Sequence, residues 1–279
     1  MEDSARVSRA FRDVDQSEAP GASVRYLAAV SGVEQTQRLK ARTIDLLALT
    51  NGQVVLDVGC GAGDEVRAMA SIVGSSGRAV GIDGSALMIE EAWKRSRDGQ
   101  LSVDFQQADA HQLPFADNTF DGCRVERTLQ HVADPRRVVA EMVRVAKPGS
   151  WVVAFEPDWE TVFVNGGDRE TIRALNRAHV DVNTRHGWIG RELPGIFHEA
   201  GLDHVAPNCE VFHLTDLPLA RYLLNFDESA ETAISAGWLT PAAYSAWLAA
   251  LEVAAARRTF FAGLVGLIVV GTKPGSPAG

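Results

Sequence analysis

The feature that most constrains this chain is a cluster of glycines set between a β-branched run and a helical one. Val54-Val55-Leu56-Asp57-Val58 leads into Gly59-Cys60-Gly61-Ala62-Gly63, and Asp64 to Val73 then carries apolar residues at helical spacing. Glycine accepts positive φ and, lacking a Cβ, lets a ligand or another backbone come close. A strand that turns this sharply into a helix is the opening unit of a parallel α/β sheet. Dinucleotide-binding turns have the spacing G-x-G-x-x-G, whereas here it is G-x-G-x-G with Asp64 where the third dinucleotide glycine would stand. A carboxylate in the place of a pyrophosphate partner is unfavourable and counts against a nicotinamide cofactor.

The rest of the chain repeats the unit. Ala79–Asp83, Val103–Phe105, Phe120–Val125 and Trp151–Phe155 read as strands, and 85–97 and 135–146 as helices between them. Helices are expected over 168–184 and 191–200, then a strand over 202–214, an alanine-rich helical insert started by Thr240-Pro241, and a last strand over 264–270. The alternation predicts an α/β fold: a doubly wound, mostly parallel, seven-stranded Rossmann-like sheet. The expected organisation is an N-terminal helical cap over 1–50, a core over 51–213, an insert over 214–259, the last core strand over 260–273, and a flexible tail over 274–279.

Composition narrows the partners. A formal net charge of -9, spread without an acidic tail, repels phosphate backbones, so nucleic acid is not an expected partner. The longest apolar run, Phe260 to Val270, falls well short of the roughly 20 residues of a membrane-spanning helix and reads as a buried strand. No basic-then-apolar leader opens the sequence, which sets the expectation of a cytoplasmic protein. Cys60, Cys123 and Cys209 lie far apart, so neither a disulfide framework nor a zinc site is expected. The histidines also lack metal spacing. His179 and His186 stand seven apart with no carboxylates to complete a site, and His111 reads as a flank of the nucleoside pocket.

Two acids follow the glycine turn. Asp83 ends the second strand 20 residues beyond Gly63, a position that faces ribose hydroxyls in nucleoside-binding sheets. Asp109 ends the third, where its carboxylate accepts from an adenine amino group while the amide of Ala110 donates to the ring. Either alone would pass for a helix cap or a surface residue; together, after that turn, they point to a nucleoside.

With these residues in view the chain resembles the class I S-adenosylmethionine (SAM) dependent methyltransferases, in the subgroup similar to ubiquinone and menaquinone biosynthesis C-methyltransferases. The resemblance rests on Val55 to Gly63, Gly81-Ile82-Asp83-Gly84-Ser85 with Met88, Ala108-Asp109-Ala110, 113–121, 129–135 and 144–149, and covers about 46–156. It implies that Gly59, Gly61 and Gly63 line the methionine part of SAM, and that Asp83 with Gly84 holds the ribose. It implies further that Asp109 and Ala110 read the adenine, that Met88 packs on its face, and that Glu126 borders the amino-acid end. Ser150 departs from the usual glycine, and Arg124-Val125-Glu126-Arg127 is more charged than is common, for reasons the sequence leaves open between substrate, cofactor carboxylate and ion pairing.

The implied activity is methyl transfer to a carbon, oxygen or nitrogen of a small, apolar or aromatic metabolite, without metal. An in-line displacement at a sulfonium is driven largely by alignment in a dry pocket. His131, a few residues past the fourth strand, is the candidate base, and packing of the turn before Asp134-Pro135 is its alternative reading. Glu126, Arg127, Glu156, Asp158 and Trp159 also lie past strand ends. The insert is expected to cover a substrate, or to pack on the sheet or a second copy of the chain. The competing functions are a SAM-binding cyclase or isomerase, a non-catalytic SAM-binding subunit and an NAD-dependent reductase.

Overall fold

The computed structural model describes residue 15 and residues 20–97 and 99–275. The expected cap over 1–50 and the expected tail over 274–279 thus each fall partly outside the described residues. The elements run α1 (Pro20–Ser31), α2 (Glu34–Asp45), β1 (Val54–Val58), α3 (Asp64–Val73), β2 (Arg78–Asp83), α4 (Ala86–Arg95), β3 (Val103–Gln107) and β4 (Phe120–Glu126). Then come α5 (Pro135–Val145), β5 (Ala146–Val164), α6 (Arg169–Ala178), a π-helical turn (His179–Asn183), α7 (Ile189–Glu199), β6 (Asp203–Leu214), α8 (Leu217–Leu223), α9 (Phe226–Ser235), α10 (Pro241–Ala256) and β7 (Ala262–Thr272).

Five of the helix starts are fixed by a side-chain cap. Ser85, Asp134, Asp168, Asp216 and Thr240 each accept the amide three residues on. Such a cap contributes about 1 kcal/mol and supplies an acceptor to an otherwise orphan donor.

The strands form one seven-stranded sheet in the order β3-β2-β1-β4-β5-β7-β6. β3 through β5 are parallel, and β7 pairs antiparallel with both β5 and β6. The sheet is therefore the mostly parallel one that the alternation predicts. The order reverses between β1 and β4, the switch point beyond whose carboxyl ends open α/β sheets bind ligands. One face packs Val138, Met142, Leu193 and Phe197 against β1, β4 and β5; the other packs Leu39, Val66, Met69 and Val73.

Three differences bear on the site. β5 runs 19 residues, far beyond the expected 151–155, because β7 stays paired with it through Asp158 and, after a register shift, at Phe163 and Val164. The insert holds the expected alanine-rich helix, α10, starting at Pro241, but two further helices precede it: Asn225 takes a left-handed conformation (φ 53°) between α8 and α9, and Gly237 (φ 72°) precedes the start of α10. Finally, α6 and the π-turn, grouped with the core in the sequence expectation, share an apolar cluster with the insert through Leu175, Ala178, Phe226, Ala230, Trp247 and Leu251. The expected boundary at 213 therefore cuts across a packed unit.

Candidate active site

A cavity of about 710 Å³ lies beyond the carboxyl ends of β1, β2 and β4. That volume is within the range of roughly 300–1,000 Å³ typical of small-molecule sites. Of the residues singled out from sequence, Gly59, Gly61, Asp83, Gly84, Met88, Asp109, Ala110, Glu126 and His131 line it, and Gly63 does not. Gly63 serves packing. It holds φ 76° at the entry to α3, and a Cβ there would stand 2.5 Å from the ring of Phe105. Gly59, at φ 72°, makes room in the same way for Thr128, whose Oγ1 would lie 2.1 Å from an added Cβ. The first glycine thus seats the turn after β4 against the turn after β1.

Asp83 is tied into this floor. Its Oδ2 accepts the Gly61 amide at 2.9 Å and its Oδ1 the Ser85 amide at 2.9 Å. Burial raises its pKa against these two bonds. Each oxygen keeps a lone pair, so two further donors from the cavity would both satisfy and stabilise the charged form. Met88 is buried beside it.

Asp109 is exposed and bonds His111 through both the ring Nδ1 (2.6 Å) and the amide (2.9 Å), which lowers its pKa. Because Nε2 of His111 accepts from the Asp134 amide at 3.1 Å, the ring proton sits on Nδ1 and is donated to Asp109. His111 therefore clips the third-strand acid to the segment that follows β4.

The charged run on β4 resolves into a buried ion network. The β1–β4 register sets Arg124 opposite Asp57, and the guanidinium bonds Asp57 at 2.9 Å, Thr43 Oγ1 of α2 at 2.9 Å, and Glu126. Arg127, in a left-handed conformation (φ 50°), bonds Glu126 at 3.1 Å. Burial alone would raise the Glu126 carboxyl, but Arg124, Arg127 and Lys40 outweigh it and hold the group below its ordinary value. Asp57 goes the other way: burial lifts it to about 6 against the pull of Arg124. Lys40 of α2 reaches Glu65 of α3 at 2.7 Å, fixing the N-terminal helices over the cavity.

Of the residues expected past the fifth strand, which the long β5 in fact includes, Glu156 is fully buried and holds the turn after β4: its Oε1 accepts the amides of Thr128 (2.8 Å) and Leu129 (2.6 Å). Asp158 is held by Arg191 at 2.5 and 2.7 Å. Trp159 faces the cavity and donates its indole N–H to Gln130 at 2.6 Å. His131 lines the cavity half-buried, its amide closing the turn onto the carbonyl of Thr128 at 2.9 Å. The two histidines read together from sequence part company. His186 bonds the carbonyl of Val132, whereas His179 is buried in the cavity wall.

Sequence reasoning passed over Asp57, Lys40, Glu65 and the place of His179. A signal existed only for Asp57, a charge inside an apolar strand that matches another, Arg124, in the strand beside it. The far wall of the cavity is apolar, with Phe212, Leu214, Leu223, Leu224 and Leu264 from β6, β7 and the insert, and Tyr26, Leu27 and Val30 from α1. No helix among the described residues is long and apolar enough to cross a membrane, and no group of metal-ligating side chains occurs among them.

Comparison with known proteins gives one family and consistent neighbours. The family described as "Methyltransferase domain" matches residues 56–154. An uncharacterized 37.1 kDa protein in transposon TN4556 of Streptomyces fradiae is 36% identical over 88% of this chain and 70% of its own length. Demethylmenaquinone methyltransferase of Bacillus velezensis is 30% identical over 63% of this chain and 82% of its own. Among solved structures, the YcgJ protein of Bacillus subtilis superimposes with a TM-score of 0.61 at 18% identity, covering 86% of this chain and all of that one. The [4+2]-cyclase SpnF gives 0.53 at 24% identity over 86% of this chain and 82% of that one. The likeness to these two structures concerns the fold.

Proposed function

The chain belongs to the class I SAM-dependent methyltransferase family, and from that premise we propose that it methylates a small, largely apolar or aromatic molecule in the cavity described above. The family makes SAM its cofactor, and the floor of the cavity fits that group. Gly84 leaves open space where a Cβ would stand and Gly61 has only the tip of Leu27 there, so a ligand can come close to the backbone at both, and Asp83, disfavoured as an anion by burial, offers two lone pairs to the paired hydroxyls of a ribose. Asp109 and Ala110 take the adenine edge, Met88 packs on its face, and the network of Arg124, Glu126 and Arg127 borders the amino-acid end. When bound, SAM supplies an electrophilic methyl group.

The protein's part is then alignment and exclusion of water. α1 and α2 close one side, pinned by Lys40–Glu65, and α8 with the following loop brings Leu223, Leu224 and Asn225 to the other. This supports reading the insert as a cover over the substrate. His131 is the side chain assigned to take a proton from the acceptor where one must leave. The single observation that carries the small-molecule reading is the placing of the cavity's far end between α1, the insert and β6–β7, which line it mainly with apolar side chains.

The test is transfer of isotopically labelled methyl from SAM in the presence of a bacterial metabolite extract. Label is expected in the solvent-extractable fraction. Label confined to acid-precipitated protein or nucleic acid would reject a small-molecule acceptor, and consumption of substrate without methyl transfer would favour the cyclase alternative.

A further inference from the structure

His179 stands in the wall of the cavity at the start of the π-helical turn His179–Asn183. π-Turns interrupt α-helices mostly at functional sites, because the widened turn costs hydrogen-bond geometry and re-aims side chains. Here the turn carries an imidazole that is only 4% exposed. Its Nδ1 lies 3.4 Å from Ser229 Oγ, and its ring centroid is 4.3 Å from that of Trp159. Nε2 is buried with no hydrogen-bond partner among the described residues. Leaving such an atom bare forfeits its hydrogen bond to water with nothing in return, so the arrangement calls for a partner that the described residues do not provide.

The surroundings identify the class of partner. Burial keeps the ring neutral, its pKa pushed down to about 4. A neutral imidazole has one donor and one acceptor nitrogen, and the contact with Ser229 permits either assignment. A hydroxyl group donates and accepts through one and the same oxygen, so it satisfies Nε2 in either tautomer without placing a second polar atom against the apolar wall. The neighbouring walls are Trp159, Leu224 and Leu264, against which a ring or alkyl body packs. A carboxylate or an ammonium would bury its charge beside a neutral ring.

We propose that His179 selects the acceptor by pairing its Nε2 with a hydroxyl group on an otherwise apolar, ring-bearing small molecule held beside Trp159. This rests on the methyltransferase reading, since it concerns the acceptor end of the same cavity. The ordering of Ser229, on α9, against His179 also means that the insert sets the orientation of the selecting ring.

The experiment measures binding of 2-naphthol and of 2-methylnaphthalene, its near-isostere without the hydroxyl, by equilibrium dialysis against protein saturated with S-adenosylhomocysteine (SAH). Wild type should prefer 2-naphthol by about tenfold or more, although the methyl compound is the more hydrophobic. His179→Phe, and the less crowded His179→Leu, should bring that ratio to one or below with SAH affinity within about twofold of wild type, and His179→Gln should restore part of it. An unchanged ratio in a variant that still binds SAH overturns the proposal, as does a wild type that shows no preference or binds neither probe. A wild type that fails to bind SAH at all overturns the methyltransferase reading, and the proposal falls with it.

Discussion

Replacing Glu156 by glutamine should stabilise this protein more and more as the pH rises. The side chain is fully buried; Oε1 accepts two amides, while Oε2 has no partner among the described residues. Burial, against the pull of those amides, pushes its pKa up to about 8 from an ordinary 4.5. Above pH 4.5 the unfolded chain carries the carboxylate, whereas the folded chain keeps its proton until about pH 8. The folded state therefore binds the extra proton in this window, and the associated stability is full below pH 4.5, declines as the pH rises and is gone above 8. At about 1.36 kcal/mol per pH unit, the difference amounts to something on the order of 5 kcal/mol. Glutamine keeps the carbonyl for Thr128 and Leu129, places an uncharged NH₂ where Oε2 stands, and does not titrate. Urea unfolding of both proteins from pH 5 to pH 9 should give nearly equal stabilities at the acid end and a widening advantage for Glu156→Gln toward pH 8. His179, held neutral by burial, contributes the opposite slope between about pH 4 and the ordinary 6.5, but it does so in both proteins and cancels. A difference that stays flat with pH would refute the claim that Glu156 is protonated in the folded protein.

Other substitutions separate binding from packing. Asp83→Ala should weaken SAH binding by roughly 1.5–3 kcal/mol in calorimetry, the scale of hydrogen bonds to a charged group, with Asp83→Asn losing less; unchanged affinity would remove the ribose assignment. Gly63→Ala should cost about 1–3 kcal/mol of stability, measured by urea unfolding, because the new Cβ meets the Phe105 ring from a left-handed backbone, and Phe105→Leu in the same chain should recover part of it. Arg124→Ala strips Asp57 and Glu126 of their buried partner and should destabilise by about 3–5 kcal/mol, whereas a variant as stable as wild type would show the network to be solvated. His131→Asn should lower the single-turnover rate by about 10²–10⁴-fold with SAH affinity unmoved if it is the base. A wild-type rate would leave alignment as the source of catalysis.

How far the sequence reveals this molecule follows the range over which each interaction acts. The glycine turn, the capped helix starts and the Asp83 and Asp109 positions are written within a few residues of one another, because turn geometry and strand-to-helix junctions are local. The parallel order of the sheet follows from the alternation, since right-handed crossovers leave few other topologies. The insert was harder to read. α10 is alanine-rich with apolar residues all around its surface, so periodicity does not mark its buried side, and the break at Asn225 depends on a non-glycine residue in a left-handed conformation, for which sequence offers little warning.

The least legible parts are those that complete the site. Lys40 and Glu65 lie 25 positions apart, Arg124 and Thr43 81, and His179 and Ser229 50. Each partner alone has the look of a solvated surface residue, and only tertiary packing removes it from water. The same separation explains how one fold serves different acceptors. On the proposed reading, the cofactor floor is built from adjacent turns of the sheet and the acceptor wall by α1, the π-turn and the insert, segments that line the same cavity from elsewhere in the chain. The fold alone therefore does not identify the acceptor, and on the reading proposed above the side chains that select it lie in the insert and the π-turn beside it.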